Sequence, residues 1–153
     1  MANRKTTSAL DEHLGYWLRM VSNHVSNGFA RKLEGHGATV AEWVLLRELF
    51  DVEALAPSRL AERMGMTRGA ISKLADRLTE KKLVARADDP DDQRAHRLSL
   101  TVAGRELVPE LAALADENDA SFFADLTALE RANIEAILRK IVVRRGLKDI
   151  PVS

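Results

Sequence analysis

Leu10, Leu14, Trp17, Leu18, Val21, Val25, Phe29 and Leu33 recur at steps of three and four. That spacing predicts a long amphipathic helix from about Ser8 to Leu33. Gly35-His36-Gly37 should end it, with glycine supplying a left-handed cap. Trp43, Val44, Leu46 and Leu49 mark a second helix, Val40 to Phe50, and Asp51 to Ala56 reads as a connector. Pro57 suits the first turn of a short helix, Ser58 to Met64, which Gly65 stops. Thr67 is placed to cap a further helix running to about Lys82, with Ile71, Leu74, Ala75 and Leu78 as a narrow apolar stripe. Two short helices around a tight glycine turn form a helix-turn-helix pattern.

The period then changes. Leu83 to Ala87 and His96 to Leu100 read as two strands flanking Asp88 to Ala95. That predicts a hairpin whose loop of about eight residues exceeds the usual 2–5. Thr101 caps a fifth helix carrying Leu107, Leu111 and Leu114, and Pro109 inside it should bend it or shift its start. Thr127-Ala128-Leu129-Glu130 is a capping box opening a last helix that closes near Gly146. The outer helices are too apolar to stand alone in water, so they should pack together and against a second copy. The expected fold is mainly α with a small β-hairpin wing: a winged helix-turn-helix (36–100) flanked by N-terminal (1–35) and C-terminal (101–153) dimerisation helices in one chain.

Composition narrows the function. With 46% hydrophobic and 30% charged residues among 153, the chain suits one globular domain. No apolar run is long enough to cross a bilayer and no signal peptide is evident, so the expected location is cytoplasmic, with no membrane partner. The absence of cysteine excludes disulfides, thiol sensing and cysteine-ligated zinc. His13, His24, His36 and His96 are scattered, and no metal or other cofactor is expected. Net charge is zero, yet Pro57 to Leu100 holds ten basic against seven acidic residues, a balance of +3. The middle of the chain therefore suits a polyanion.

On the Thr67–Lys82 helix, Arg68, Ser72, Lys73, Asp76 and Arg77 face away from the apolar stripe. An α-helix fits the major groove, where Arg68 can pair with guanine and Ser72, Lys73 and Arg77 can bond bases or phosphates. Thr67 and the helix N-terminus suit a phosphate oxygen. The bland alternative is an ordinary solvated face. In the wing, Arg94 can enter a minor groove, and Asp92 two residues before it can hold the guanidinium in a fork–fork pair. Asp88 or Asp89 would cap the turn that Pro90 stiffens. A solvated acidic turn with no ligand is the competing reading.

The run LAERMGMTRGAISKLADRLTEKKLVARADDPDDQRAHRLSLTVAG, Leu60 to Gly104, resembles the DNA-binding core of the MarR family of winged helix-turn-helix transcriptional regulators. Asp92-Gln93-Arg94 and the Leu100–Gly104 segment carry the resemblance most specifically. It implies a homodimer, usually a repressor and occasionally an activator, on a pseudo-palindromic operator in double-stranded DNA. It also implies Arg94 as the wing arginine, Asp92 as its partner, and frequent release by a small-molecule effector. Such an effector would sit between the outer helices and the winged domain, where Trp17, Met20, His24, Trp43 and Met64 are candidates, although aromatics and methionines at helical spacing are ordinarily core. Lys82 departs from the family, many of whose members have glycine there, and Pro109 is a second departure. No nucleophile elbow, phosphate loop or HExxH helix suggests an enzyme. The remaining alternatives are a winged-helix module that binds protein, against which the basic row with Arg94 speaks, and an activator with no small-molecule effector.

Overall fold

Thr39, Thr67, Thr101 and Thr127 each accept a hydrogen bond from the backbone N–H three residues on, so each threonine starts a helix. The structure, a computed structural model, describes residues 6–153, with the backbone alone at 92–95. A 3-10 turn, Leu10–Glu12, precedes helix α1, Leu14–Glu34. Then come α2 (Val40–Phe50), α3 (Pro57–Met64), α4 (Arg68–Glu80), β1 (Val84–Asp89), β2 (Asp92–Leu100), α5 (Val102–Phe122) and α6 (Ala128–Arg145). The predicted first helix is thus broken at His13, whose extended backbone (ψ 125°) separates the turn from α1. Among the glycines after α1, the left-handed one is Gly37 (φ 73°), whereas Gly35 stays right-handed.

One leucine or isoleucine from each of six elements meets at the centre. Leu33, Leu46, Leu60, Ile71, Leu98 and Leu111 are all 0% exposed. Leu55 joins the sheet by exchanging backbone bonds with Leu98 at 2.8 and 2.9 Å, which ties the α2–α3 connector to the base of the wing. Gly104 lets the first turn of α5 rest on the chain entering β1: a Cβ there would lie 2.1 Å from the Leu83 carbonyl oxygen. Pro109 lies within α5 without shifting its start from Thr101. Pro109 is exposed, and it leaves the carbonyl four residues back without its helical N–H partner.

α1 packs along α5, bringing the two ends of the chain together. α6 behaves differently. It has the capping box and the left-handed Gly146 stop that its sequence predicts, yet none of its residues is buried. Ile137 is 57% and Val143 78% exposed, and α1 leaves Leu14 80% exposed. An apolar groove of about 610 Å³ separates α6 from the end of α5, bridged by the Arg131–Asp119 ion pair. Beyond α6 the chain returns to the winged core, against which Ile150 and Val152 pack.

Candidate nucleic-acid interface

The turn between α3 and α4 is set by Gly65, left-handed at φ 61°. Its missing side chain also matters, because a Cβ would meet the Asp149 carboxylate at 2.7 Å. Two residues on, Thr67 Oγ1 accepts the Ala70 N–H at 3.1 Å and fixes the start of α4. Ile71, Leu74, Ala75 and Leu78 are buried, which holds the helix by one narrow stripe. That stripe turns Arg68, Ser72, Lys73 and Arg77 to solvent, together with Thr67 at the cap. The five helix residues predicted from the sequence therefore share one open face.

Two further residues of this face bear on its chemistry. Asp76 would place a negative charge in the basic row, but it forms an ion pair with Arg86 of β1. The pair removes that charge from the field and links wing to helix. Gly69 is exposed in the first turn, and a Cβ there would meet only Thr67 Oγ1, at 4.0 Å. Among the described residues, no packing calls for a glycine there. The place of Asp76 on this face was legible in the sequence; its partner, ten residues away on a strand, was not.

The wing differs from its prediction. In place of a loop of about eight residues, the strands run on to Asp89 and Asp92, joined by a turn at Pro90-Asp91. Asp89 Oδ1 accepts the Asp91 N–H at 2.9 Å, and Oδ2 accepts from Arg97 Nε at 3.3 Å. Both hold its carboxyl below the usual range, the backbone bond more than the guanidinium. Of the two aspartates open for the turn, Asp89 fills the role. The strand extension was missed because this hairpin projects from the core, leaving Ala85 to Asp88 exposed and without apolar alternation. The predicted pairing of Asp92 with Arg94 lies outside the described side chains.

At the far end of α4, Lys82 adopts a left-handed backbone at φ 61°. Glycine, the commoner residue here in the family that the sequence resembles, takes this conformation without the clash a side chain brings.

The five effector candidates do not share one cavity. Met20 and His24 line a shallow cleft on α1 with Tyr16 and Arg19. Trp17 stands edge-on to Tyr16 and donates to the Asp11 carbonyl at 2.9 Å. Met64 is 1% exposed in the core. Trp43 alone lines a cavity of about 360 Å³ between α1, α2, α5 and the C-terminal segment, with Phe29, Val44, Ile150, Ser26 and Asn118. Asn118 is buried there, donating to the Val25 carbonyl at 3.1 Å and accepting from Lys32 at 3.2 Å.

Known proteins resemble this chain in sequence and in fold. A family model described as MarR family matches residues 36–95. The HTH-type transcriptional repressor Mb2911 of Mycobacterium bovis is 29% identical over 131 residues, 86% of this chain and 94% of the relative. The structure of the S. aureus MepR–DNA complex superposes with a TM-score of 0.75 at 26% identity, covering 86% of this chain and 98% of that one. A structure bearing on regulation of DNA binding of Bordetella bronchiseptica BpsR by 6-hydroxynicotinic acid superposes at 0.76 with 28% identity, covering 88% and 96%.

Proposed function

The chain belongs to the MarR family of winged helix-turn-helix transcriptional regulators, DNA-binding proteins and not enzymes, and on that premise we propose that it is a homodimeric repressor released by a small molecule. The observation that carries the DNA-reading role is the face of α4. Its buried stripe, threonine cap and paired Asp76 leave Arg68, Lys73 and Arg77, with the Ser72 hydroxyl among them, as one cationic face at the mouth of the helix-turn-helix. Among the described residues, none of Arg68, Lys73 and Arg77 is spent on an ion pair.

α4 enters the major groove with Arg68 toward a base edge, while Lys73 and Arg77 meet phosphates or bases. The Thr67 hydroxyl, whose oxygen serves the cap, keeps its hydrogen for a phosphate. The wing lies along the adjacent minor groove, with Arg94 as its contact and Asp92 as the group that aims it. The second copy is supported by the open apolar faces of α6 and α1, which water disfavours. Symmetry then sets two half-sites about 10 bp apart on a pseudo-palindrome.

Repression and release rest on the relatives. Mb2911 is named a repressor, and BpsR is described as regulated by 6-hydroxynicotinic acid. In this chain the cavity at Trp43 is the candidate effector site, because its apolar walls carry the polar groups of Ser26 and Asn118. A ligand there changes the packing of α2 against α1 and α5, and through it the spacing of the two recognition helices.

The test is fluorescence anisotropy on duplexes that the protein selects from a random pool, beside a scrambled control. A preferred duplex with two inverted half-sites, bound far more weakly by Arg94→Ala, is the expected outcome. Equal binding to every duplex, abolished by salt, refutes sequence reading and favours a protein partner for the winged domain.

A further inference from the structure

Thr39-Val40-Ala41-Glu42 has capping-box spacing, in which the glutamate folds back onto the N–H of its own helix cap. Thr127-Ala128-Leu129-Glu130 forms the complete box, with Glu130 accepting the Thr127 N–H at 3.0 Å. At α2 only half forms: Thr39 Oγ1 accepts the Glu42 N–H at 3.1 Å, while the carboxylate leaves the helix. Its Oε2 accepts from Lys81 Nζ at 2.7 Å, and the same ammonium donates to the Gly37 carbonyl at 2.7 Å. Glu42 is 2% exposed. Burying a carboxylate is costly, and close pairing offsets the cost only in part. A local bond has been given up for a buried tertiary one.

Lys81 is the C-cap residue of α4. Its ammonium therefore fastens the end of the recognition helix to the start of α2 and to the α1–α2 turn. Gly65 and Thr67 fix the other end, and two fixed ends define an axis. A helix of this length spans about 20 Å, so a tilt of about 5° about its Thr67 end displaces the Lys81 end by roughly 1.7 Å and Arg77, about 15 Å along, by roughly 1.3 Å. Base-edge hydrogen bonds do not survive such a shift, whereas attraction to phosphates hardly changes.

We propose that Glu42 and Lys81 are positioning residues for sequence reading: together they hold the angle of α4 and set discrimination between DNA sequences. This rests on α4 being the DNA-reading helix. The rival role is that Lys81, whose side chain is 40% exposed, touches a phosphate itself.

The experiment compares the wild type with Glu42→Gln, Lys81→Met, Lys81→Arg and the Glu42→Gln/Lys81→Met double variant. Each is titrated at several salt concentrations on the duplex the wild type selects and on its scramble, with urea unfolding to establish that each is folded. The clamp predicts that Glu42→Gln and Lys81→Met each lose about tenfold in preference for the selected duplex while the salt slope stays unchanged. The double variant is no worse than the weaker single one, and Lys81→Arg retains most of the preference. Should Lys81→Met fail to fold, Glu42→Gln and Lys81→Arg carry the comparison. The clamp is overturned if Lys81→Met lowers the salt slope by about one while Glu42→Gln reads DNA like the wild type, which makes Lys81 a phosphate contact. Unaltered preference in folded Glu42→Gln overturns it equally. A wild type with no preferred duplex fails earlier, on the DNA-reading function itself.

Discussion

Replacing Gly69 with alanine sets stability against function. Glycine inside a helix is about 0.8–1.0 kcal/mol less favourable than alanine. Gly69 is the second residue of α4, where fewer bonds depend on the helix, so about half of that, roughly 0.5 kcal/mol, is recoverable. Nothing opposes the new methyl, since its nearest neighbour is Thr67 Oγ1 at 4.0 Å, an ordinary contact. With a urea slope of about 1–3 kcal/mol per molar, the unfolding midpoint should rise by about 0.2–0.5 M at fixed protein concentration. On DNA the sign reverses. The methyl stands out by about 1.5 Å from the face proposed to enter the major groove. Lengthening one or two base-edge bonds by that much should cost about tenfold in affinity, or 1.4 kcal/mol. Urea unfolding and anisotropy on one preparation give both numbers. A variant that is stabilised and binds DNA as well as the wild type refutes the close approach of α4; one that is destabilised refutes the reading of its surroundings.

Two further substitutions probe the wing. Lys82→Gly relieves a left-handed backbone that costs a side-chain-bearing residue about 1–2 kcal/mol, against about 0.5–1 kcal/mol of added chain entropy. A net gain of about 0.5 kcal/mol is expected in chemical unfolding, and a loss would mean that the Lys82 backbone is not strained. Asp89 should titrate below ordinary aspartates in carboxyl-detected NMR. Because its pKa is lowered on folding, its contribution to the wing tip is present above the unfolded value and is lost as pH falls through the lower, folded one. Arg97→Gln should return that titration only part of the way, since the Asp91 N–H is the larger cause. Titration at or above the usual range contradicts the turn described here.

Most of the fold was legible because its signals are local. Threonine caps, Gly65 and apolar steps of three and four depend on neighbours within one turn, and they place α2 to α6 within a few residues. The wing strands were cut short because alternation reports burial, and a strand with exposed faces has none to report. The open face of α4 was legible too, since Arg68, Ser72, Lys73 and Arg77 lie opposite a narrow stripe. Its supports were not. Asp76–Arg86, Asp89–Arg97 and Glu42–Lys81 join residues on different elements or strands, and for Glu42 the local pattern pointed to the wrong partner. The effector candidates scattered because helical spacing tells which residues share a helix face, not which helices enclose a space.

The central claim is that α4 reads base edges through Arg68, and binding by Arg68→Ala to a set of single-base variants of the selected duplex tests it most directly. The account predicts that the variant loses discrimination at one position in each half-site, by about 1–3 kcal/mol, while discrimination elsewhere is kept. If Arg68→Ala instead discriminates at every position as the wild type does, α4 does not read DNA by way of Arg68 and the proposed docking is wrong.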